Sequence, residues 1–310
     1  MDRKESKDPD HISHALKTAF DHIEDLYDGA INIDYRVMTG LKALDQMTNG
    51  FHRGDLIAVC GEPGVGKSSF ALNLACSAAT RYKDRASIMM FSTQSPANHL
   101  ALRSVIAGAR RLYSNIQWGA LMQADWPRLS NSAGNLSDVN LAINDSIATI
   151  DEIVIYGRER KRDHKDTCLL ILDSLDTITG ENPIAYSDAL VRLKQLAREL
   201  GLPIIVTSAV RDKTRLRRFS NHDPLYTLME KYADILMQIK RREVSSDAHY
   251  LNIDGVEVAN SENGGKTTPG VKAVTVEKWS MEFSVLKNKN GPNGRFNLDF
   301  LPQFSRFIGI

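Results

Sequence analysis

The residues equipped for chemistry begin at Gly61-Glu62-Pro63-Gly64-Val65-Gly66-Lys67-Ser68, a G-x-x-x-x-G-K-S spacing. Glycines there let the backbone curl with its N–H groups facing inward, and a helix starting directly afterwards adds the partial positive charge of its N-terminus. Such a turn cradles phosphate. Lys67 would reach the terminal phosphates, and the Ser68 hydroxyl would take one octahedral position on Mg²⁺. The residues read as lining the cradle are Gly61, Glu62, Pro63, Gly64, Val65, Gly66, Lys67, Ser68 and Ser69. A second group of the right type is Asp173, which ends the apolar run Leu169-Leu170-Ile171-Leu172. A carboxylate at the C-terminal end of a buried strand is placed to hold Mg²⁺ through water, whereas a helix cap or a surface acid is the plainer reading.

Strands and helices must bring these groups together. The apolar run Leu56 to Cys60 before the cradle and the helical pattern through Phe70, Leu74 and Ala78 after it predict strand, turn and helix. Ile88 to Phe91 reads as a short strand ending in Ser92-Thr93-Gln94, and Pro203 to Ser208 and Ala233 to Ile239 as further strands. Helices are predicted near 98–109, 150–160 and 185–200, the last with Gly201 as its stop. This alternation predicts an α/β fold, a mostly parallel twisted sheet with helices on both faces. Phe283 to Leu286 and Phe296 to Phe300 flank a basic turn in which Asn290-Gly291 signals a C-terminal β-hairpin.

Other stretches are less informative. Residues 1–11 are charged and read as disordered, and Ile12 to Tyr27 carries apolar residues at helical spacing. A lone amphipathic helix needs a surface, either its own domain or a neighbouring copy. Residues 113–150 mix short helical patterns with Ser/Asn-rich turns. Residues 243–282 form a polar insertion with a hairpin signal at Asp254-Gly255, and no function is legible in it. Arg211, Lys213, Arg215, Arg217 and Arg218 share a segment with one acid; it is either a solvated charge run or a loop that meets a phosphate backbone.

Apolar content of 42%, charged content of 25% and a net charge of +1 are those of a globular protein and exclude no partner class. No apolar run approaches the roughly 20 residues needed to span a bilayer, and MDRKESKDPD is no signal peptide, so no membrane role and a cytoplasmic location are expected. Cys60, Cys76 and Cys168 lie far apart in apolar runs and read as buried, reduced thiols.

The order TGLKALDQMTNGF, GDLIAVCGEPGVGKSSFALNLA, IMMFSTQS, ADWPRLS, CLLILDSLD, LKQLARELGLPIIVTSAV and KNKNGPNGRFNLDFLPQFSRF resembles the C-terminal ATPase domain of DnaB-type replicative helicases. The closing block is its most specific part. The resemblance implies a RecA-like P-loop fold over residues 31–310, preceded in residues 1–30 by a linker helix. It also implies ATP and Mg²⁺ bound between subunits of a hexameric ring, with single-stranded DNA in the pore. The family's separate N-terminal domain has no counterpart here, which fits an excised fragment or a naturally short paralog.

Three positions depart from the family's pattern. Its water-activating glutamate corresponds to Gln94, and an amide orients water without taking its proton; positioned bases contribute roughly 10²- to 10⁴-fold. Its sensor glutamine corresponds to Ala209. Its trans-acting Lys-x-Arg corresponds to Lys287 and Lys289, and a lysine lacks the fork of an arginine finger, which contributes roughly 10³- to 10⁵-fold. Glu62 and Asp176 are the carboxylates available to replace the base. ATP binding with slow turnover is therefore expected, with Lys67, Gln94, Asp173, Lys287 and Lys289 as the catalytic set. A non-motor assembly module, in which ATP locks subunits together, is the alternative, and a recombinase-like filament is a third reading.

Overall fold

The computed structural model describes residues 12–27, 36–110, 121–210, 224–242 and 278–309. The charged start, the basic segment 211–218 and most of the polar insertion, with its Asp254-Gly255 signal, lie outside the described residues. In chain order the elements are α1 (Ile12–Tyr27), β1 (Arg36–Val37), α2 (Lys42–Thr48), β2 (Phe51–His52), β3 (Leu56–Gly61), α3 (Lys67–Arg81), β4 (Ser87–Ser92) and α4 (Ala97–Ala109). There follow α5 (Trp126–Ser137), β5 (Leu141–Asn144), α6 (Ile150–Asp163), β6 (Thr167–Asp173), α7 (Leu175–Thr179), α8 (Pro183–Leu200) and β7 (Ile204–Ala209). The chain closes with α9 (Pro224–Tyr232), β8 (Ile235–Arg241), β9 (Trp279–Asn288), β10 (Gly294–Leu301) and β11 (Arg306–Gly309).

Nine strands make the main sheet in the order β11-β10-β9-β8-β3-β7-β6-β4-β5. The stretch from β8 to β5 is parallel, and β9, β10 and β11 add antiparallel strands at one edge. Strand side chains alternate between faces, and here both faces are covered. Ile57 and Val59 of β3 and Leu169 and Ile171 of β6 join the core under α3, with Phe70 and Leu74. Leu56, Ala58 and Cys60, with Leu170 and Leu172, join the opposite core, which Ile153, Leu193, Leu196 and Met229 cover from α6, α8 and α9. Two-sided burial is why these strands read as continuous apolar runs.

Local signals place the helix ends. Thr149 and Glu152 form a capping box at the start of α6, and Asn182 caps α8 with Pro183 in its first turn. Gly201 in the left-handed region ends α8.

Some expectations needed correction. β5 pairs in parallel with β4 inside a stretch that composition reads as helices and turns, because a short, half-buried edge strand carries little periodicity. β9 begins at Trp279, inside the stretch assigned to the insertion, because its partners on β8 and β10 extend it. The hairpin loop runs from Lys289 to Asn293 and is longer than an Asn-Gly two-residue turn, since Asn288 donates to the carbonyls of Met47 and Pro292. Of the cysteines only Cys60 is fully buried; all three are free, with Cys76 and Cys168 half-buried.

Candidate nucleotide site

The C-terminal ends of β3, β4, β6 and β7 meet at one edge of the sheet. Gly61 sits in register with Ala209, and Ser92 with Asp173. The cradle leaves β3 there. Gly64 and Gly66 take φ of 77° and 99°, which side chains resist, and a Cβ on Gly61 would stand 2.7 Å from the Ile239 carbonyl oxygen. Gly66 also rests over the rings of Phe300 and Phe307, so the C-terminal strands form the floor of the cradle.

Lys67 opens α3 and folds back over the loop, donating from Nζ to the carbonyl oxygens of Gly61 and Glu62, both at 3.0 Å. Burial pushes its pKa down, with Asp176 and Asp173 opposing. Ser68 donates from Oγ to Asp173 Oδ1 at 3.1 Å, and Thr207 donates to the same oxygen at 2.5 Å. Asp173 Oδ2 is buried with no hydrogen-bond partner among the described residues. Burial pushes the Asp173 carboxyl up from its ordinary value of 3.8, against the hydrogen bonds from Thr207 and Ser68.

An orphaned carboxylate oxygen beside a serine hydroxyl fits a hydrated Mg²⁺, which uses one or two carboxylates and otherwise water and phosphate. Among the described residues no cluster of three His, Cys, Asp or Glu side chains offers an all-protein metal cage. Ser68 and Asp173 are the pair that would hold the ion, which would neutralise charge on the phosphates.

Gln94 lies just past β4. It donates from Nε2 to Ser174 Oγ at 2.8 Å and to Thr177 Oγ1 at 3.0 Å. Both hydroxyls are able to donate as well, so a carboxylate at 94 would meet the same two partners. Asp176 accepts the Ala209 N–H at 3.1 Å, while Glu62 is exposed at the turn.

The structure therefore brings together Gly61 to Ser69, Gln94 and Asp173. Lys287 and Lys289 are elsewhere, at the N-terminal edge of the same sheet. Lys287 Nζ donates to the Glu230 carbonyl oxygen at 2.6 Å, and burial together with Lys289 pushes its pKa down. Lys289 pairs with Asp234, which accepts the Leu56 N–H on its carboxylate and donates its own backbone N–H to the Leu56 carbonyl oxygen at the start of β3. Sequence reasoning missed Thr207, whose signal is a polar side chain in an apolar strand run. It also missed Arg103, which donates from α4 to Ser69 Oγ at 2.5 Å and has no sequence signal at all. Beside α3 runs a groove of about 1150 Å³, lined by Arg81, Arg103, Arg110, Arg128 and Arg306 and, among the described residues, by no carboxylate.

A parallel sheet with a glycine-rich phosphate loop between its central strand and a helix defines a RecA-like ATPase fold. The family described as DnaB-like helicase C terminal domain matches residues 36–309, and the chain belongs to that family. It is 30% identical to the replicative DNA helicase DnaB of Geobacillus stearothermophilus and 28% identical to the replicative DNA helicase DnaC of Bacillus subtilis. In each comparison 99% of this chain is covered, and it spans 64% of the relative's length. The solved ATPase domain of G40P superposes with a TM-score of 0.77 at 21% identity, covering 98% of this chain and all of that one. A DnaB-like replicative helicase, from a study of its interactions with primase, superposes with a TM-score of 0.72 over 98% of this chain and 68% of that one. No helix among the described residues is long and apolar enough to cross a membrane.

Proposed function

We propose that this chain is the ATPase module of a DnaB-like replicative helicase. In this reading it binds ATP and Mg²⁺ in the Gly61–Ser69 cradle at a seam between copies, forms a hexameric ring on single-stranded DNA, and turns ATP over slowly. The observation that carries the reading is the contrast inside one site. The cradle, Ser68 and Asp173 are joined for nucleotide and metal, while the neighbouring position, held by Ser174 and Thr177, carries the amide of Gln94 instead of a base. Arg103, which lines the groove of arginines beside α3, also donates to Ser69, so positive charge borders the cradle and supports an anionic ligand there.

Distance supports the seam. β3 runs from Leu56, bonded to Asp234, to Gly61 at the cradle, and a strand rises about 3.3 Å per residue, so roughly 17 Å separates Lys289 from its own phosphate site. A lysine side chain does not span that, so in this reading its target is the cradle of another copy. The exposed Ile12, Leu16, Phe20 and Ile23 of α1 likewise support docking on a neighbouring copy. Arg211, Lys213, Arg215, Arg217 and Arg218 follow β7 from the site edge and are proposed to contact the DNA backbone, with affinity falling steeply as salt rises.

A non-motor assembly module is the second reading, favoured by Gln94, Ala209 and Lys289 together. Steady-state turnover of wild type beside Gln94→Glu separates the two. A gain of about 10²-fold is expected if the site lacks only its base. No gain, with ATP still driving association, would favour assembly without motor action.

A further inference from the structure

The Lys289 side chain is not simply extended toward solvent. Asp234, 1% exposed, sits at the N-terminal edge of the sheet and accepts the ammonium groups of both Lys289 and Lys194 as well as the Leu56 N–H, the last at 2.8 Å. Lys194 reaches it from α8 and also donates to the Gly54 carbonyl oxygen at 2.7 Å. The backbone of the hairpin loop is tied down independently. Lys289 N donates to the Asp234 carbonyl oxygen at 3.1 Å, Asn290 donates to Asp55 at 2.6 Å, and Asn288 donates to the Met47 carbonyl oxygen at 3.3 Å. Only the Lys289 side chain, about half exposed, can leave without dismantling the loop.

We propose that Asp234 and Lys194 form a clip that parks the Lys289 ammonium on its own subunit and surrenders it to the triphosphate in a neighbour's cradle. Asp234 is thus a positioning residue for the trans-acting lysine. Two features make this exchange feasible. A buried carboxylate stripped of its counter-ion is strongly unfavourable, but Asp234 would keep Lys194 and the Leu56 N–H when Lys289 departs. A triphosphate, in turn, offers the lysine more charge than one carboxylate does. The second lysine is what makes the first one removable.

The inference rests on the proposed seam, and the test keeps the two apart. ATP- and Mg²⁺-dependent association of the chain is followed by sedimentation for wild type, Asp234→Asn, Lys289→Ala and the double variant, and for Lys194→Gln. Asp234→Asn unparks the lysine and should tighten association about fivefold, the upper range for one partly exposed ion pair. Lys194→Gln leaves Lys289 as the sole counter-ion and should weaken association by a similar factor. Opposite signs at two contacting residues are not what a merely structural role produces. Lys289→Ala should erase the gain from Asp234→Asn. Amine-directed acetylation of Lys289, read by mass spectrometry without nucleotide, should be faster in Asp234→Asn than in wild type.

Should Asp234→Asn fail to fold, acetylation of Lys289 in Lys194→Gln decides: it should be slower than in wild type, because the sole counter-ion is held more tightly, and acetylation as fast as or faster than in wild type would overturn the clip. Wild type that does not associate with ATP would overturn the seam and the clip together. ATP-driven association with the same sign in both variants, or a gain from Asp234→Asn that survives Lys289→Ala, would overturn the clip alone.

Discussion

Asp173 and Asp234 are equally buried, at 1% exposure each, at opposite edges of one sheet, and the chain treats them in opposite ways. Asp173 has two hydroxyl donors on one oxygen and, among the described residues, no partner for the other, and burial raises its pKa. At Asp234 burial also pushes upward, but the Leu56 N–H, Lys194 and Lys289 outweigh it and the pKa falls. One carboxylate is left wanting a cation, and the other is saturated by two. A fold that satisfies every buried charge has nothing left with which to bind, so the open oxygen of Asp173 is what supports the proposed metal position.

This contrast predicts unequal responses to neutralisation. The largest effect belongs to Asp234→Ala, which strands Lys194 and the Leu56 N–H and should cost about 3 kcal/mol in denaturant unfolding. A loss well under that would mean that the pairs there are not cooperative with the fold. Next comes the nucleotide. At a hundredfold excess over Kd, ATP with Mg²⁺ should stabilise the wild type by about 2.7 kcal/mol, read as a shift in thermal unfolding. Asp173→Asn should remove that stabilisation while leaving the ligand-free protein as stable as wild type or more so, because it deletes a buried unpaired charge. Lower stability of the ligand-free variant would erase the distinction between the edges.

The smallest and sharpest difference is in pH. Asp173 has a raised pKa when folded, so its ionised form weakens the fold at neutral pH, and that penalty is relieved as pH falls toward 3.8. Asp234 has a lowered one, so its contribution is present above 3.8 and is lost as pH falls below it, through the folded pKa. Stability curves of Asp173→Asn should therefore converge on wild type during acidification before those of Asp234→Asn do. Convergence in the reverse order would contradict the assigned environments.

The two edges also differ in how legible they were. Gly61 to Ser69 is a contiguous segment, and its spacing carries the geometry because the glycine turn and the helix that follows are local. The runs around Ile57, Ile171 and Ile205 announced buried parallel strands through apolar continuity, and the closing block around Lys287 to Pro292 announced the family. Gln94 could be located because it follows a recognisable strand. Thr207 was only half visible, as a hydroxyl in an apolar run whose partner lies 34 residues away. β5 was not visible, since four half-buried residues at a sheet edge have no period to read.

The sequence by itself determined the glycine-rich turn between strand and helix, the alternation of strands and helices, and the resemblance to the DnaB-like helicase C-terminal domain family, because each is written in neighbours along the chain. Only the tertiary structure decided where the ends of the sheet fall relative to one another. Lys289 and Asp234 are 55 residues apart, and nothing local forecasts their pairing. It depends on β8 and β9 lying side by side with β3 next to them, so that strand order and register, not residue type, choose which charges meet.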